Sequence, residues 1–141
     1  MVSRYPCATV LCLLLGTLGC GSGRPTPNPA VYPARGKIYL DGNPVRYGRV
    51  CLVPKEPGRG VRCWGNIGPD GAFVLRTFVD EDGAAPGEYL VWVEPYSAGI
   101  NGPANGSPSH IPARYQDVQS SGLTLTVGED GDELPPLQLK R

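Results

Sequence analysis

From Arg35 onward the apolar residues recur at every second position, the period of a strand with one buried face. Residues 37–40 alternate through Ile38 and Leu40, and Asp41-Gly42-Asn43-Pro44 is a turn by composition. A second run, 49–53, puts Val50 and Leu52 on one face; 54–60 holds two Pro and two Gly and predicts a loop, after which 61–67 returns. Gly68-Pro69-Asp70-Gly71 has Pro and Gly where a tight turn wants them, and 72–79 follows as a strand with Phe73, Leu75 and Thr77 on one side. Pro86-Gly87 opens the clearest strand, 88–94, with Tyr89, Val91 and Val93 facing one way and Leu90 and Trp92 the other. Beyond a loop rich in Gly, Pro, Ser and Asn (96–112), Leu123-Thr124-Leu125-Thr126-Val127 alternates with the apolar side chains in and Thr out. The last strand, 134–139, begins with Pro135 and Pro136, which confine its start to a sheet edge.

Strands with one apolar face bury nothing alone, and packing two sheets face to face is the economical solution. The pattern therefore predicts an all-β fold: a seven-stranded antiparallel Greek-key β-sandwich over 35–141. Gly (20) and Pro (16) make up about a quarter of the chain, but they punctuate the apolar runs instead of forming one tract, so they read as turns and not as disorder.

The first 34 residues are of another kind. Arg4 supplies a positive start, and 8–18 is an uncharged stretch of 11 residues, short of the roughly 20 that a membrane-crossing helix needs. It ends in Leu18-Gly19-Cys20, and residues 1–19 resemble a bacterial lipoprotein signal. That resemblance implies a diacylglyceryl group on Cys20, although Thr17 stands where an aliphatic residue is usual. The alternative is an ordinary secretory signal that leaves Cys20 a free thiol. Two acyl chains, at ~0.8 kcal/mol per buried CH₂, hold a soluble domain on a bilayer. Residues 20–34 carry Pro25, Pro27, Pro29 and Pro33 and predict a semi-stiff extended stalk. The expected location is the cell membrane or outer membrane, with the domain facing the periplasm or exterior.

Gly36-Lys37-Ile38-Tyr39-Leu40-Asp41-Gly42-Asn43-Pro44-Val45, Gly48 to Pro54, Asp70-Gly71-Ala72-Phe73-Val74-Leu75, Pro86 to Val93, Ile111-Pro112-Ala113-Arg114-Tyr115 and Ser121-Gly122-Leu123-Thr124 follow one another in order. Together they resemble the small lipoproteins of planctomycete-type bacteria that carry a carboxypeptidase regulatory-like, transthyretin-type domain. The resemblance implies a fold and an export route and no activity, since a fold alone implies none. Gly42, Gly71 and Gly87 sit where the chain must turn sharply. Tyr89 is placed to bury its ring and bond its hydroxyl to a nearby turn, in the manner of a tyrosine corner. The transthyretin-type fold also hosts a hydrolase of 5-hydroxyisourate, but its Tyr-Arg-Gly-Ser ending is absent from a chain that closes Leu139-Lys140-Arg141 and has one histidine.

Candidate chemistry is sparse. Cys7 and Cys12 fall in the signal; with Cys20 lipidated, Cys51 and Cys63 remain as an even pair in an oxidising compartment. They face each other if the hairpin centres on Pro57, and a disulfide there adds about 3 kcal/mol in the chain-entropy model; otherwise they are two half-buried thiols. Two cysteines without His or a third Cys make no metal site, and His110, in a Gly/Ser/Pro loop, reads as exposed, with no partners for a catalytic triad. The acidic runs Asp80-Glu81-Asp82-Gly83 and 129–133 are open to Ca²⁺ through oxygen or to simple solvation as turns, and neither fits the twelve-residue calcium loop. Asn105-Gly106-Ser107 matches a glycosylation sequon that a bacterial export signal leaves idle.

Trp64, Trp92 and Tyr47 are the candidates for a stacking or binding surface. Trp92 points away from the core side of its strand, either into a binding surface or under the 96–112 loop. With 13 Lys+Arg against 13 Asp+Glu and no basic-aromatic stripe, no nucleic-acid partner is expected. The expected function is a non-enzymatic, membrane-anchored module without cofactor, binding an envelope protein; a carbohydrate-binding module is the alternative, and an unrecognised hydrolase a third.

Overall fold

The computed structural model describes residues 27–97, 108–131 and 133–141. The expected signal segment, Cys20 and the first residues of the stalk lie outside these, as do 98–107 of the long loop, with its sequon, and Asp132. The described chain folds into β1 (Arg35–Leu40), β2 (Asn43–Pro44), β3 (Arg49–Pro54), β4 (Cys63–Asn66), β5 (Ala72–Val74), β6 (Gly87–Glu94), β7 (Leu123–Val127) and β8 (Leu137–Leu139), with one 3-10 turn at Ala113–Gln116. It is an all-β protein of two four-stranded sheets, one built on β1 with β2, β5 and β8, the other in the order β4-β3-β6-β7. The period-two pattern explains the core. Ile38, Phe73, Leu137 and Leu139 from the first sheet meet Val50, Leu52, Tyr89, Val91, Val93, Leu125 and Val127 from the second, all buried.

Three features depart from the expected seven antiparallel strands. Asp41 and Gly42 take φ of 51° and 81°, the paired positive values of a type I′ hairpin turn, so the chain after β1 returns as the extra strand β2. β8 pairs with β1 in parallel, Ile38 opposite Leu137 and Leu40 opposite Leu139, so the sandwich is not wholly antiparallel. β5 ends at Val74 instead of continuing to Val79. The reason is local: the Asp82 carboxylate accepts the backbone N–H groups of Thr77, Phe78 and Val79 at 2.6, 2.9 and 3.0 Å, winding that stretch into a turn.

Ahead of β1 the chain is already tied down. Tyr32 and Ala84 exchange backbone hydrogen bonds of 2.9 and 3.0 Å, Leu75 donates to the Ala34 carbonyl at 2.8 Å, and Leu134 donates to the Arg35 carbonyl at 2.7 Å. One residue beyond Ala84, the Ala85 carbonyl accepts from the Tyr89 hydroxyl at 2.7 Å, the ring being fully buried, the corner arrangement the sequence suggests. β4 and β5 approach closely at Gly65, where a Cβ would sit 2.5 Å from the Val74 carbonyl oxygen.

Candidate functional site: the outer face of the four-stranded sheet

In β3, Cys51 lies opposite Trp64 of β4 on one side and Trp92 of β6 on the other. Residues directly opposed across strands share a face, so the three side chains form one row across the outside of the sheet, the tryptophans about 10 Å apart. The next row is Asn66, Arg49 and Glu94. Both tryptophans are half-buried, and neither belongs to the core.

Arginines furnish the rest of this face. The Arg49 and Arg76 guanidinium carbons lie 4.2 and 4.5 Å from the Trp64 ring centroid, within cation–π range, and Arg62 lies 5.9 Å from that of Trp92. Arg49 also faces Glu94 at 3.7 Å, and Arg76 pairs with Asp80. Arg76 reaches Trp64 because their backbones exchange hydrogen bonds of 3.1 and 2.8 Å, which stitch β4 to the chain beyond β5. Between them runs an open groove of about 700 Å³, lined among others by Arg49, Trp64, Asn66, Asp70, Arg76 and Glu81. Its charges of both signs nearly cancel. Arg49 Nε and Asn66 Oδ1, on opposed residues, are buried without a hydrogen-bond partner, each costing about 1–3 kcal/mol.

The expected Cys51–Cys63 disulfide is corrected by the register. The β3–β4 hairpin sets Cys51 opposite Trp64 and Leu52 opposite Cys63, so it centres between Pro57 and Gly58, not on Pro57. Cys51 therefore points outward between the tryptophans, while Cys63 points inward with Leu52, and both are free thiols. Burial, followed by the neighbouring Glu94 carboxylate, pushes the Cys51 thiol up to about 12; burial, followed by Asp82, does the same for Cys63. We expect neither to react with iodoacetamide in the folded protein at pH 8, and both to do so in denaturant. Intact mass with and without reductant checks the same point, since a bridge would remove two hydrogens.

The remaining candidates scatter. Tyr47 sits before β3 with φ 59°, its ring centroid 6.4 Å from that of Tyr96, and is not among the groove residues. His110 is exposed. In the first acidic run Asp80 pairs with Arg76, and Asp82 is committed to the turn; burial would raise its carboxyl, but the backbone N–H groups it accepts hold it below the usual range. No group of three His, Cys, Asp or Glu able to hold a metal occurs among the described residues. What the sequence reading missed is Arg49, Asn66 and Arg76 around Trp64. Their outward parity was legible, but their alignment depends on register and on the β4–β5 stitch.

Comparison with protein-family models, curated proteins and solved structures gives no match.

Proposed function

We propose that this protein is a non-enzymatic recognition module of the cell envelope, binding a partner protein through the Trp64–Cys51–Trp92 face. The observation that carries this reading is the row itself: two half-buried tryptophans on an outward sheet face, set among Arg49, Arg62 and Arg76. Tryptophan and arginine are the residues most enriched in the energetic centres of protein interfaces. Four polar groups are engaged in structure: the Tyr89 hydroxyl in its corner, Asp82 in its turn, and the two thiols, which burial keeps protonated. A partner that draws out the Arg49 side chain would also supply the bonds that Arg49 Nε and Asn66 Oδ1 lack.

The module is read as a seven-strand Greek-key domain of the carboxypeptidase regulatory-like, transthyretin-type class, with β2 an extension of its first hairpin. The N-terminal pattern supports export, cleavage before Cys20, a diacylglyceryl anchor there, and a stalk that lifts the domain from the membrane.

Carbohydrate binding is the second reading. Two guanidinium groups already lie over the Trp64 ring, so stacking on a sugar falls to Trp92, whose arginine is more distant. The test is cross-linking in intact cells with the reactive group at Leu90, beside Trp92 on the same strand. One recurrent envelope protein is expected, with Trp92→Ala weakening its binding about 30-fold or more, and the N-terminal peptide is expected to carry a diacylated Cys20. Saturable binding on a glycan array that Trp92→Ala abolishes, with no protein cross-link, would replace the first reading with the second.

A further inference from the structure

Sheet edges carry unpaired backbone groups, and proteins blunt them with short strands, proline, charge or cover. Most edges here are treated in one of these ways. β4 is stitched to Arg76, β2 and β8 have two and three residues, and β8 is preceded by Pro135-Pro136. β5 has three residues and runs into the turn held by Asp82.

β7 is the exception. It closes the order β4-β3-β6-β7, and no strand lies beyond it among the described residues. Its five residues, Leu123-Thr124-Leu125-Thr126-Val127, include no charge and no proline, and its register with β6 runs unbroken. The direction of its free groups follows from its neighbour. The Glu88 carbonyl accepts from the Lys55 N–H at 2.9 Å and so faces β3, which turns the backbone groups of Tyr89 toward β7, opposite Leu125. Leu123, Leu125 and Val127 thus turn their N–H and C=O toward β6, the Leu123 N–H also reaching Ser121 Oγ at 3.3 Å, whereas Thr124 and Thr126 direct theirs to the open edge.

We infer that β7 is a self-association edge, pairing antiparallel with β7 of a second copy of this chain about a two-fold axis at Leu125. The strand reads the same in both directions, apolar residues alternating with Thr, so it is complementary to itself. With the axis at Leu125, Thr124 meets Thr126 of the partner subunit, and each outward N–H and C=O finds an outward counterpart. The same axis sets Leu125 against the partner's Leu125 and Leu123 against the partner's Val127, continuing both apolar faces. A one-residue slip would oppose outward groups to those turned toward β6, and two-residue slips leave part of the strand unpaired. The union is one eight-stranded sheet carrying two tryptophan rows on a single outer face.

The test is the sedimentation mass of the full chain in density-matched detergent, compared with Thr124→Lys/Thr126→Lys and Thr124→Glu/Thr126→Glu. Both side chains are exposed, so the fold is untouched, and circular dichroism melting checks this. Wild type is expected at the mass of two chains. Each charged variant sets like charges opposite one another and should raise the concentration for association about tenfold or more; an equimolar mixture of the two should restore pairing. A wild type that sediments as one chain, or charged variants that associate like wild type, would overturn the inference. A second measurement needs no charge: mixed Thr124→Cys and Thr126→Cys chains should oxidise to a disulfide between those two positions, and its absence would also overturn the inference.

Discussion

Gly83→Ala is expected to be the most damaging Gly→Ala change among the described residues, costing about 3–5 kcal/mol. A Cβ at this position would lie 1.7 Å from the Tyr32 carbonyl oxygen, 2.4 Å from its carbon and 2.8 Å from Pro33 Cα, all backbone that no rotamer change can move. Gly83 also sits at φ 93°, where a side chain adds strain. The loss is a large share of the ~5–15 kcal/mol that holds a domain together, and a melting temperature lower by roughly 15–25 °C is the expected readout. Gly58→Ala is the control: φ there is 81°, but nothing lies within 4 Å, so only the conformational strain of about 1–2 kcal/mol applies. If both variants melt alike, the clash with Tyr32 is not part of the folded state, and the docking of the chain ahead of β1 is wrong.

Tyr89 carries the second large effect. Its side chain is fully buried, so Tyr89→Ala is expected to cost about 3–5 kcal/mol, as for other large aromatic truncations. Tyr89→Phe keeps the ring but strips the Ala85 carbonyl of its donor, a cost of about 1–2 kcal/mol. Urea titrations separate the two, and a Phe variant as stable as wild type would remove the corner bond from the energetics. pH gives a further check. Burial, followed by Cys63, raises the Tyr89 phenol from 10.0 to about 12, so ionisation is easier in the unfolded chain. The stability this represents is complete below pH 10 and is lost as pH rises toward 12. The advantage of wild type over Tyr89→Phe should therefore shrink across that window.

How far the sequence could be read depended on whether a feature was local. Alternation located β1, β3, β6 and β7 to within two residues and put Val50, Leu52, Phe73, Tyr89, Val91 and Val93 on the correct side. The end of β5 was not legible, because it is set by Asp82, whose carboxylate draws three amides from the preceding residues into a turn. The parallel pairing of β8 was hidden too: Pro135 and Pro136 announce an edge, but nothing in the strand says which way its neighbour runs. The cysteines show the cost of a small error. Parity within β3 and within β4 was readable, yet a shift of half a residue in the hairpin centre decides whether the thiols meet or turn to opposite faces. The candidate site suffered likewise. Trp64 and Trp92 stood out by residue type, whereas Arg49, Asn66 and Arg76 became part of the same face only once two hairpins and a stitch between strands had aligned them.

The bonds at Tyr32, Ala34 and Arg35 have a mechanical consequence. A pull on the chain ahead of Tyr32 meets three separate segments, at Ala84, Leu75 and Leu134, before it reaches the body of β1. Each of the three anchors a different stretch of the chain, so releasing one leaves the other two in place. The domain is thus held at its entry point by a distributed grip, and tension there would have to break that grip before it could unzip a sheet.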